Sequence, residues 1–281
     1  MNEVLLVTGA SRGIGAATAL LAARAGYAVA VNYTRNEAAA EAVVSAIRAQ
    51  GGTALAVQAD VADEAQVHAA VGGAIAAFGN LDVLVNNAGY GLVGAVEETS
   101  AAEMRRIFEV NVFGPVYAAQ AVLPHMRAKR AGHIINITSV SGLAAWSGTG
   151  AYTATKHALE GFGKTLAQEV AELGIKVTNV APGSVRTDWA GRSLQVAASK
   201  IADYDAGARN AERILGGRAG DEHGDPRKVA AAILKIALTP DAPLHLVLGA
   251  DAVHYATQAR AAFEAEFGIW APLSLSVGFE E

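Results

Sequence analysis

The chain of 281 residues contains no cysteine, and it has no uninterrupted apolar run of the roughly 18 residues that a membrane-spanning helix requires. The missing thiols exclude disulfides, thiol catalysis and any zinc site built on thiolates. The first residues, MNEVLLVTGAS, lack the basic region of a secretory signal peptide. We therefore expect a soluble, cytoplasmic protein.

Charged and aromatic residues are scarce, at 17% and 6% of the chain, whereas hydrophobic residues make up 52%. The formal net charge of -5 gives no reason to expect binding to nucleic acid or to an anionic membrane. The seven histidines are scattered without an i, i+4 pair, so no metal site is predicted. Low charge together with abundant alanine and valine suits a sheet that is covered on both faces.

Short apolar runs alternate with helical segments, which predicts a doubly wound parallel sheet in a three-layer α/β/α fold. The pattern weakens over residues 186–225, which we predict to be a variable lid on a single domain spanning 1–281. A helix at 226–239 and a strand at 244–248 follow the lid. The other strands are predicted at residues 4–8, 27–33, 53–59, 81–86, 132–138 and 175–181.

The segment TGASRGIG, residues 8–15, joins the first strand to the first helix and contains three glycines. Glycines at such a junction let the backbone turn tightly and approach a ligand closely. The free N–H groups at the start of the helix attract a diphosphate. A tight turn that only packs the helix on the strand is the alternative, but the strand–turn–helix context favours a dinucleotide site.

A tyrosine and a lysine lie four residues apart in AYTATK, residues 151–156, so Tyr152 and Lys156 share one face of a predicted helix. A free phenol has a pKa near 10 and is a poor acid and base at neutral pH. A nearby ammonium is expected to lower that pKa, so that Tyr152 can exchange a proton with a carbonyl or alcohol oxygen. Most isolated pairs of this kind are solvated helix faces.

Other polar residues strengthen the catalytic interpretation of this pair. Ser139 ends the fifth predicted strand, and carboxyl ends of strands are where ligands bind in such sheets. The segment NNAG, residues 86–89, ends the fourth predicted strand, and Asn111 lies in the helix that follows.

These motifs, together with PGSVRT at 182–187, resemble those of the short-chain dehydrogenase/reductase family in their order and spacing. The resemblance covers about residues 4–190 and implies a Rossmann-type oxidoreductase. It implies that Tyr152 is the general acid/base and that Ser139 binds the reacting oxygen. Lys156 would lower the pKa of Tyr152 and hold the nicotinamide ribose, and Asn111 would hold a water that links Lys156 to solvent. Further cofactor contacts are implied for Gly9, Ser11, Arg12, Gly13, Ile14, Gly15, Asp60, Val61, Asn87, Ala88, Gly89, Pro182, Gly183, Val185 and Thr187.

The residues after the second strand favour NADP(H) over NAD(H). Proteins that bind NAD place an acidic residue about 20 positions beyond the glycines, but no carboxylate occurs between Glu3 and Glu37. Arg12 and Arg35 are instead predicted to flank a 2′-phosphate, with Tyr33 and Thr34 beside it. Arginine side chains that are merely solvated are the alternative.

Ser141, Trp146 and Trp189 are predicted to contact the substrate together with Ser139 and Tyr152. A turn role for Ser141 and core packing for the tryptophans are the alternatives. A helix is predicted at about 251–267. The C-terminal segment that carries Phe263, Phe267, Trp270 and Phe279 could pack on its own domain, close the pocket or form a subunit interface. It replaces the Gly-rich ending of many tetrameric members of the family, so we expect a homo-oligomer, a dimer rather than a tetramer.

The sequence thus predicts an NADP(H)-dependent oxidoreductase that interconverts a ketone or aldehyde and an alcohol. An apolar organic ketone or a ketoacyl compound is the expected substrate. A non-catalytic NADP-binding sensor of the same fold is the alternative, but the complete set of catalytic residues argues against it. A nucleotide-binding methyltransferase would usually have an acidic residue at the end of the second strand, where Asn32 and Tyr33 stand.

Overall fold

Seven parallel strands form the central sheet of the computed structural model, which describes residues 2–217 and 220–279. The sheet order is β3-β2-β1-β4-β6-β7-β9, and β5 pairs with β8 in a separate two-stranded sheet. The strands are β1 (Val4–Val7), β2 (Ala28–Tyr33), β3 (Ala54–Gln58), β4 (Val83–Asn86), β5 (Gly91–Val93), β6 (Gly132–Ile137), β7 (Ile175–Pro182), β8 (Leu194–Val196) and β9 (His245–Leu248).

Helices cover both faces of the sheet, which confirms the predicted doubly wound α/β fold. They are α1 (Gly13–Arg24), α2 (Glu37–Arg48), α3 (Glu64–Phe78), α4 (Ala101–Phe108), α5 (Gly114–Lys129), α6 (Gly150–Val170), α7 (Arg209–Gly217), α8 (Pro226–Ala237) and α9 (Ala250–Leu275). The chain reverses its direction of travel across the sheet between β1 and β4. Ligands bind in the crevice that such a reversal opens at the carboxyl ends of the strands.

Alternation along the strands divides the core into two hydrophobic layers, since successive side chains of a strand point to opposite faces. In β1, Leu5 and Val7 join the layer beneath α1, α2 and α8, whereas Val4 and Leu6 join the layer beneath α3, α5 and α6. Both faces of β1 are therefore buried, and its sequence reads as one apolar run.

The 186–225 segment is more regular than its sequence predicted. Residues Leu194–Val196 form β8, which pairs in parallel with β5, and Arg209–Gly217 form α7. Both strands have three residues, too few to give a periodic signal in the sequence, and neither was predicted.

One buried carboxylate ties this segment to the residues that follow β5. Glu98 is 2% exposed, and its carboxylate accepts hydrogen bonds from the Ile201 N–H at 2.7 Å and the Arg209 guanidinium at 2.8 Å. Hydrogen bonds from the N–H groups of Ile201 and Ala95 lower the pKa of Glu98 to about 2, although its partial desolvation acts in the opposite direction.

Helix α9 extends to Leu275, eight residues beyond its predicted end. Ala252 is buried and Ala256 is half-buried, but the aromatic residues of its second half are exposed. Packing of the whole C-terminal segment on its own domain, one of the three predicted alternatives, is therefore wrong. Among the described residues, no helix has the length and apolar character needed to cross a membrane.

Candidate active site

A cavity of about 450 Å³ opens where β4, β6 and β7 end. Its walls include Ser139, Tyr152 and Lys156, Pro182 from β7 and Trp189 from the 186–225 segment. The cavity thus lies at the carboxyl edge of the sheet, where the parallel topology brings the strand ends together.

The side chains of Ser139, Tyr152 and Lys156 converge at the end of β6. Ser139 and Tyr152 line the same cavity, and Ser139 acts on the Tyr152 phenol to lower its pKa. Ser139 Oγ accepts the Ser141 N–H at 3.0 Å. The Lys156 ammonium donates to the carbonyl of Ile137 at 2.9 Å and lies 5.7 Å from the centroid of the Tyr152 ring. The predicted catalytic pair and the predicted serine therefore share one site.

Burial dominates the protonation of this pair. It raises the pKa of Tyr152 to about 12, and the hydrogen bond with Ser139 opposes the rise only in part. It lowers the pKa of Lys156 to about 8, against the effect of the Glu160 carboxylate. The expected lowering of the pKa of Tyr152 by Lys156 is therefore not seen in this structure, because desolvation of the phenol is the larger effect.

A row of buried amides runs across the sheet beneath the site. Asn86, Asn136 and Asn179 are paired in register on β4, β6 and β7. The Asn86 Nδ2 donates to Asn136 Oδ1 at 3.0 Å, and the Asn136 Nδ2 donates to Asn179 Oδ1 at 3.1 Å. The Asn179 Nδ2 then donates to Glu160 Oε2 at 3.0 Å. This row, which we call the amide ladder, joins three strands to α6, the helix that carries Tyr152 and Lys156.

Glu160 is the carboxylate at the end of the amide ladder, and it is 3% exposed. It accepts the Thr138 hydroxyl at 2.6 Å and lies 3.2 Å from His245 Nδ1. Since Lys156 and Glu160 are four residues apart, they lie on one face of α6. Glu160 was not among the predicted site residues, and only its spacing from Lys156 could have indicated it.

Asn111 occupies a π-helical turn, Glu109–Phe113, between α4 and α5. Its Oδ1 accepts the Tyr90 N–H at 3.0 Å, and its Nδ2 donates to the Tyr90 carbonyl at 2.9 Å and to Thr155 Oγ1 at 3.2 Å. Such turns occur frequently at functional sites. Asn111 fixes the segment after NNAG against α6, and its side chain bonds to protein atoms where the resemblance implied a water.

The glycine loop is fastened to the neighbouring strands. Gly9 and Gly13 have φ angles of +61° and +57°, which favour glycine. The Gly9 N–H donates to Asn32 Oδ1 at 3.1 Å, and Asn87 Nδ2 donates to the carbonyl oxygens of Thr8 at 2.8 Å and Gly9 at 3.1 Å. Asn32 therefore positions the loop, a role that the sequence did not indicate.

Other residues predicted to contact the cofactor border the crevice at the ends of β1 and β4. Ile14 lines the cavity, Ser11 is half-buried, and a Cβ on Gly9 would lie 3.0 Å from Ala88 Cα. A Cβ on Gly89 would lie 3.1 Å from Asn111 Oδ1. Small residues at these two strand ends thus leave the crevice open.

The residues predicted to contact a 2′-phosphate are not all accessible. Tyr33 is 6% exposed and belongs to the hydrophobic core, as does Val61 at 4%. Their side chains are therefore poor candidates for cofactor contacts. Arg35 is exposed, and Thr34 Oγ1 donates to the Ala59 carbonyl at 3.3 Å. Arg12 donates to Ser193 Oγ at 2.7 Å.

Asp60, which follows β3, lies near Arg106 and Arg35. Arg106 donates to its carboxylate at 2.9 Å. Partial burial acts to raise the pKa of Asp60, but hydrogen bonds from the Ala62 N–H and Arg106, with the charges of Arg106 and Arg35, hold it below its usual value.

Aromatic rings form part of the cavity wall. The Tyr152 and Trp189 rings are 5.4 Å apart between centroids, and Trp146 meets Tyr255 edge-on at 5.4 Å. Ser141 also lines the cavity. Tyr255, from α9, was not predicted, because its contact with Trp146 joins residues more than a hundred positions apart. Other cavity residues that the sequence did not indicate are Tyr90, Leu92, Val93, Leu194, Asn210, Ala211, Ile214 and Leu215.

The end of β7 and the segment after it form one side of the cavity, through Pro182, Gly183, Val185 and Thr187. It is held from α9, since the Asp251 carboxylate accepts the Ser184 N–H at 2.8 Å. The first turn of α9 thus shapes the site. No cluster of metal-ligating side chains occurs in the part of the chain that the structure describes.

A sequence model of the family described as short chain dehydrogenase matches residues 3–196. The chain belongs to this family. Among curated members, the protein is 37% identical over 276 residues to "Oxidoreductase BOA17" of Botryotinia fuckeliana, covering 98% of this chain and 99% of that protein. It is 39% identical to a 3-oxoacyl-[acyl-carrier-protein] reductase of Synechocystis, covering 85% and 91%.

Solved structures of short-chain dehydrogenases have the same architecture. One from Streptomyces avermitilis superposes with a TM-score of 0.91 at 38% identity, covering 99% of this chain and 98% of that one. One from Burkholderia phymatum, in complex with NAD, gives 0.84 at 27% identity and covers 94% and 95%. One from Burkholderia cenocepacia, in complex with NADP, gives 0.72 at 34% identity and covers 88% and 96%.

The substitution Gly15→Ala is expected to disrupt the glycine loop of this short-chain dehydrogenase. A Cβ at Gly15 would lie 2.6 Å from Asn87 Nδ2 and 2.7 Å from the Gly9 carbonyl oxygen. Overpacking of this kind costs about 1–3 kcal/mol of unfolding free energy. Urea denaturation should show lower stability, and titration with NADH and with NADPH, followed by fluorescence, should show roughly tenfold weaker binding of the nicotinamide cofactor.

Gly73→Ala is the matched control, because Gly73 is in α3 and a Cβ there meets open space within the described structure. Alanine should stabilise that helix by about 0.5–1 kcal/mol and leave NADPH binding unchanged. If Gly15→Ala and the parent protein bound the cofactor equally well, the prediction of a dinucleotide site at the glycine loop would be contradicted.

Proposed function

We propose that this short-chain dehydrogenase is an NADP(H)-dependent reductase that interconverts a ketone or aldehyde and the corresponding alcohol. The observation that carries the proposal is the convergence of the Ser139 hydroxyl, the Tyr152 hydroxyl and the Lys156 ammonium beside an apolar cavity. A proton donor, a second hydroxyl and a cation at one point suit a carbonyl oxygen that gains negative charge during reduction.

The nicotinamide cofactor, when bound, supplies or accepts the hydride at the carbonyl carbon. In the direction of reduction, Tyr152 donates its proton to the carbonyl oxygen, and the alcohol O–H bond forms as the phenol O–H bond breaks. Ser139 donates a hydrogen bond to the same oxygen and orients it. The phenolate then recovers a proton from solvent.

The pKa of Tyr152, about 12, keeps the phenol protonated at neutral pH, as an acid for carbonyl reduction must be. The phenolate left after proton transfer is then the costly species. The Lys156 ammonium, 5.7 Å from the ring centroid, stabilises that phenolate by charge.

The residues of the crevice fit a dinucleotide. Within the described chain, no side chain caps the N-terminus of α1 and its first turn has no acidic residue, so its N–H groups are available to a diphosphate. Gly9, Gly13 and Gly15 keep side chains out of this space. Lys156 and Asn87 lie on the side of the cavity where the nicotinamide ribose would be held.

A preference for NADP(H) is supported by charge. Arg35 follows the end of β2, where positions 28–36 contain no carboxylate to repel a 2′-phosphate, and Arg12 lies in the glycine loop. Arg35 acts on Asp60 through its charge, so it lies near the expected adenosine side. The related structures bind NAD in one case and NADP in another, so the preference depends on these arginines.

An apolar substrate is supported by the aromatic wall that Trp146, Trp189 and Tyr255 form. A small organic ketone fits this wall, and a ketoacyl compound is the substrate of the Synechocystis relative. The proposal includes the 186–225 segment as a lid over this wall. It describes a cytoplasmic homo-oligomer whose partner is a small-molecule substrate, and the net charge of -5 supports neither nucleic acid nor anionic membrane as a partner.

The substitution Tyr152→Phe removes the proton donor and keeps the ring. We expect kcat for NADPH-dependent reduction of aryl and alkyl ketones to fall at least 100-fold, as the loss of a general acid does, with NADPH binding retained. Tyr90→Phe, whose ring also lines the cavity, is the control and should keep kcat within about threefold. Full turnover by Tyr152→Phe would refute the mechanism, and NADPH binding without turnover by the parent protein would favour the sensor.

The substitution Arg35→Ala tests cofactor preference. Because a charge-assisted hydrogen bond contributes about 1.5–3 kcal/mol, kcat/KM with NADPH should fall roughly 10- to 100-fold, with that for NADH nearly unchanged. Arg24→Ala, in the last turn of α1, is the control and should alter neither value. Equal kcat/KM of the parent protein with NADPH and NADH would overturn the preference.

The substitution Glu160→Gln tests the charge beneath Lys156. The ammonium loses its proton as pH rises through about 8, so kcat/KM should fall above that pH. Since the Glu160 carboxylate raises the pKa of Lys156, its removal should move this alkaline limb to lower pH. Thr138→Val removes a hydrogen bond to Glu160 but keeps the charge, and its limb should stay in place. If the alkaline limb of the kcat/KM profile stayed at the same pH in Glu160→Gln, the proposed effect of the Glu160 charge on Lys156 would be contradicted.

A further inference from the structure

The second half of α9 stands clear of the other residues that the structure describes. Ala252 is buried and Ala256 and Ala259 are half-buried, so the first half rests on the domain. Between residues 260 and 279, every side chain except that of Ala271 is exposed. We call residues 260–279 the C-terminal arm.

The face of α9 that packs on the domain continues into the arm as an aromatic stripe. Phe263, Phe267 and Trp270 follow Ala259 at spacings of four, four and three residues, so they share its face of the helix. They are 69%, 60% and 58% exposed, and the rings of Phe263 and Phe267 stack 6.3 Å apart. The same side of the helix thus changes from covered alanine to uncovered aromatic where the domain ends.

The exposed apolar surface of the arm is larger than a monomer normally leaves in water. Counted at roughly 200 Å² per aromatic side chain, the stripe and Phe279 expose on the order of 600 Å². The aliphatic side chains Ile269, Leu273, Leu275 and Val277 are more than half exposed and add to it. Monomers rarely expose more than about 300–600 Å² in one patch, whereas a stable dimer buries about 800 Å² on each partner.

Charge selects between the possible occupants of this surface. The arm beyond Arg260 has two glutamates, Glu264 and Glu266, and neither lysine nor arginine. A helix that lies on a membrane surface is usually rich in lysine and arginine on its polar face. Residues 267–279 contain no charge and include two phenylalanines and a tryptophan, which is the composition of the buried centre of a homodimer interface.

We propose that the C-terminal arm docks on a second copy of this chain and that the second copy returns the contact with its own arm. Two-fold symmetry makes the contact reciprocal, so two arms are covered in one interface. This also accounts for the helical state of the arm, since a helix of this length without packing is marginal in water.

Sedimentation velocity of the full chain between 1 and 100 μM tests the proposal, and it needs no substrate, so its outcome is independent of the reductase assignment. We expect the parent protein to sediment as a dimer or a larger even assembly and Phe267→Glu/Trp270→Glu to sediment at half that mass. Leu238→Glu, an exposed apolar residue at the end of α8, should behave as the parent. Because the chain has no cysteine, disulfides cannot mimic association.

A milder variant, Phe263→Ala/Phe267→Ala/Trp270→Ala, should raise the dissociation constant of the dimer roughly tenfold or more. Retained cooperative thermal unfolding would show that each variant is folded. A parent protein that is monomeric throughout, or a Phe267→Glu/Trp270→Glu variant with unchanged mass, would overturn the proposal. Monomeric parent protein that pellets with phosphatidylcholine vesicles through its arm would overturn it in favour of a membrane surface.

Discussion

The amide ladder is the interaction on which the geometry of the site depends. Asn86, Asn136 and Asn179 pass hydrogen bonds across three strands to Glu160. A buried amide that loses its partner costs about 1–3 kcal/mol, so the strands and α6 are held in one relative position. Gly163 lets α6 approach, because a Cβ there would collide with the Asn179 side chain. Any shift of α6 would break the ladder and move Tyr152.

The ladder also brings a negative charge beneath the catalytic pair. Tyr152, Lys156 and Glu160 occur at intervals of four residues on one face of α6, so phenol, ammonium and carboxylate form a line from the cavity to the interior. Burial alone would drive Lys156 toward its neutral form, and Glu160 acts against that. The cation needed beside the phenol is thus maintained in an apolar site by a carboxylate that never reaches the cavity.

The seven strands of the main sheet were predictable because a parallel strand buried on both faces reads as an apolar run, as VLLV does in β1. The candidate catalytic residues Tyr152, Lys156 and Ser139 were recognisable because their order and spacing, together with the other motifs, resemble those of the family. The amide ladder and the Trp146–Tyr255 contact could not be predicted from the sequence. Strand register and helix packing join these residues, and no sequence spacing relates them. Tyr33 is a poor candidate for the predicted cofactor contact, because its position in β2 turns the ring into the core. The pKa of Tyr152 is raised rather than lowered, because the phenol is buried.

Reduction of an aryl ketone with NADPH that carries deuterium at both C4 positions of the nicotinamide tests the central claim most directly. If the site delivers hydride to the carbonyl carbon while Tyr152 supplies a proton that comes from solvent, mass spectrometry will find one deuterium on the carbinol carbon of each product molecule. The same reaction with unlabelled NADPH in D₂O will leave that carbon unlabelled. Deuterium from D₂O on the carbinol carbon, or none from the labelled NADPH, would contradict the account.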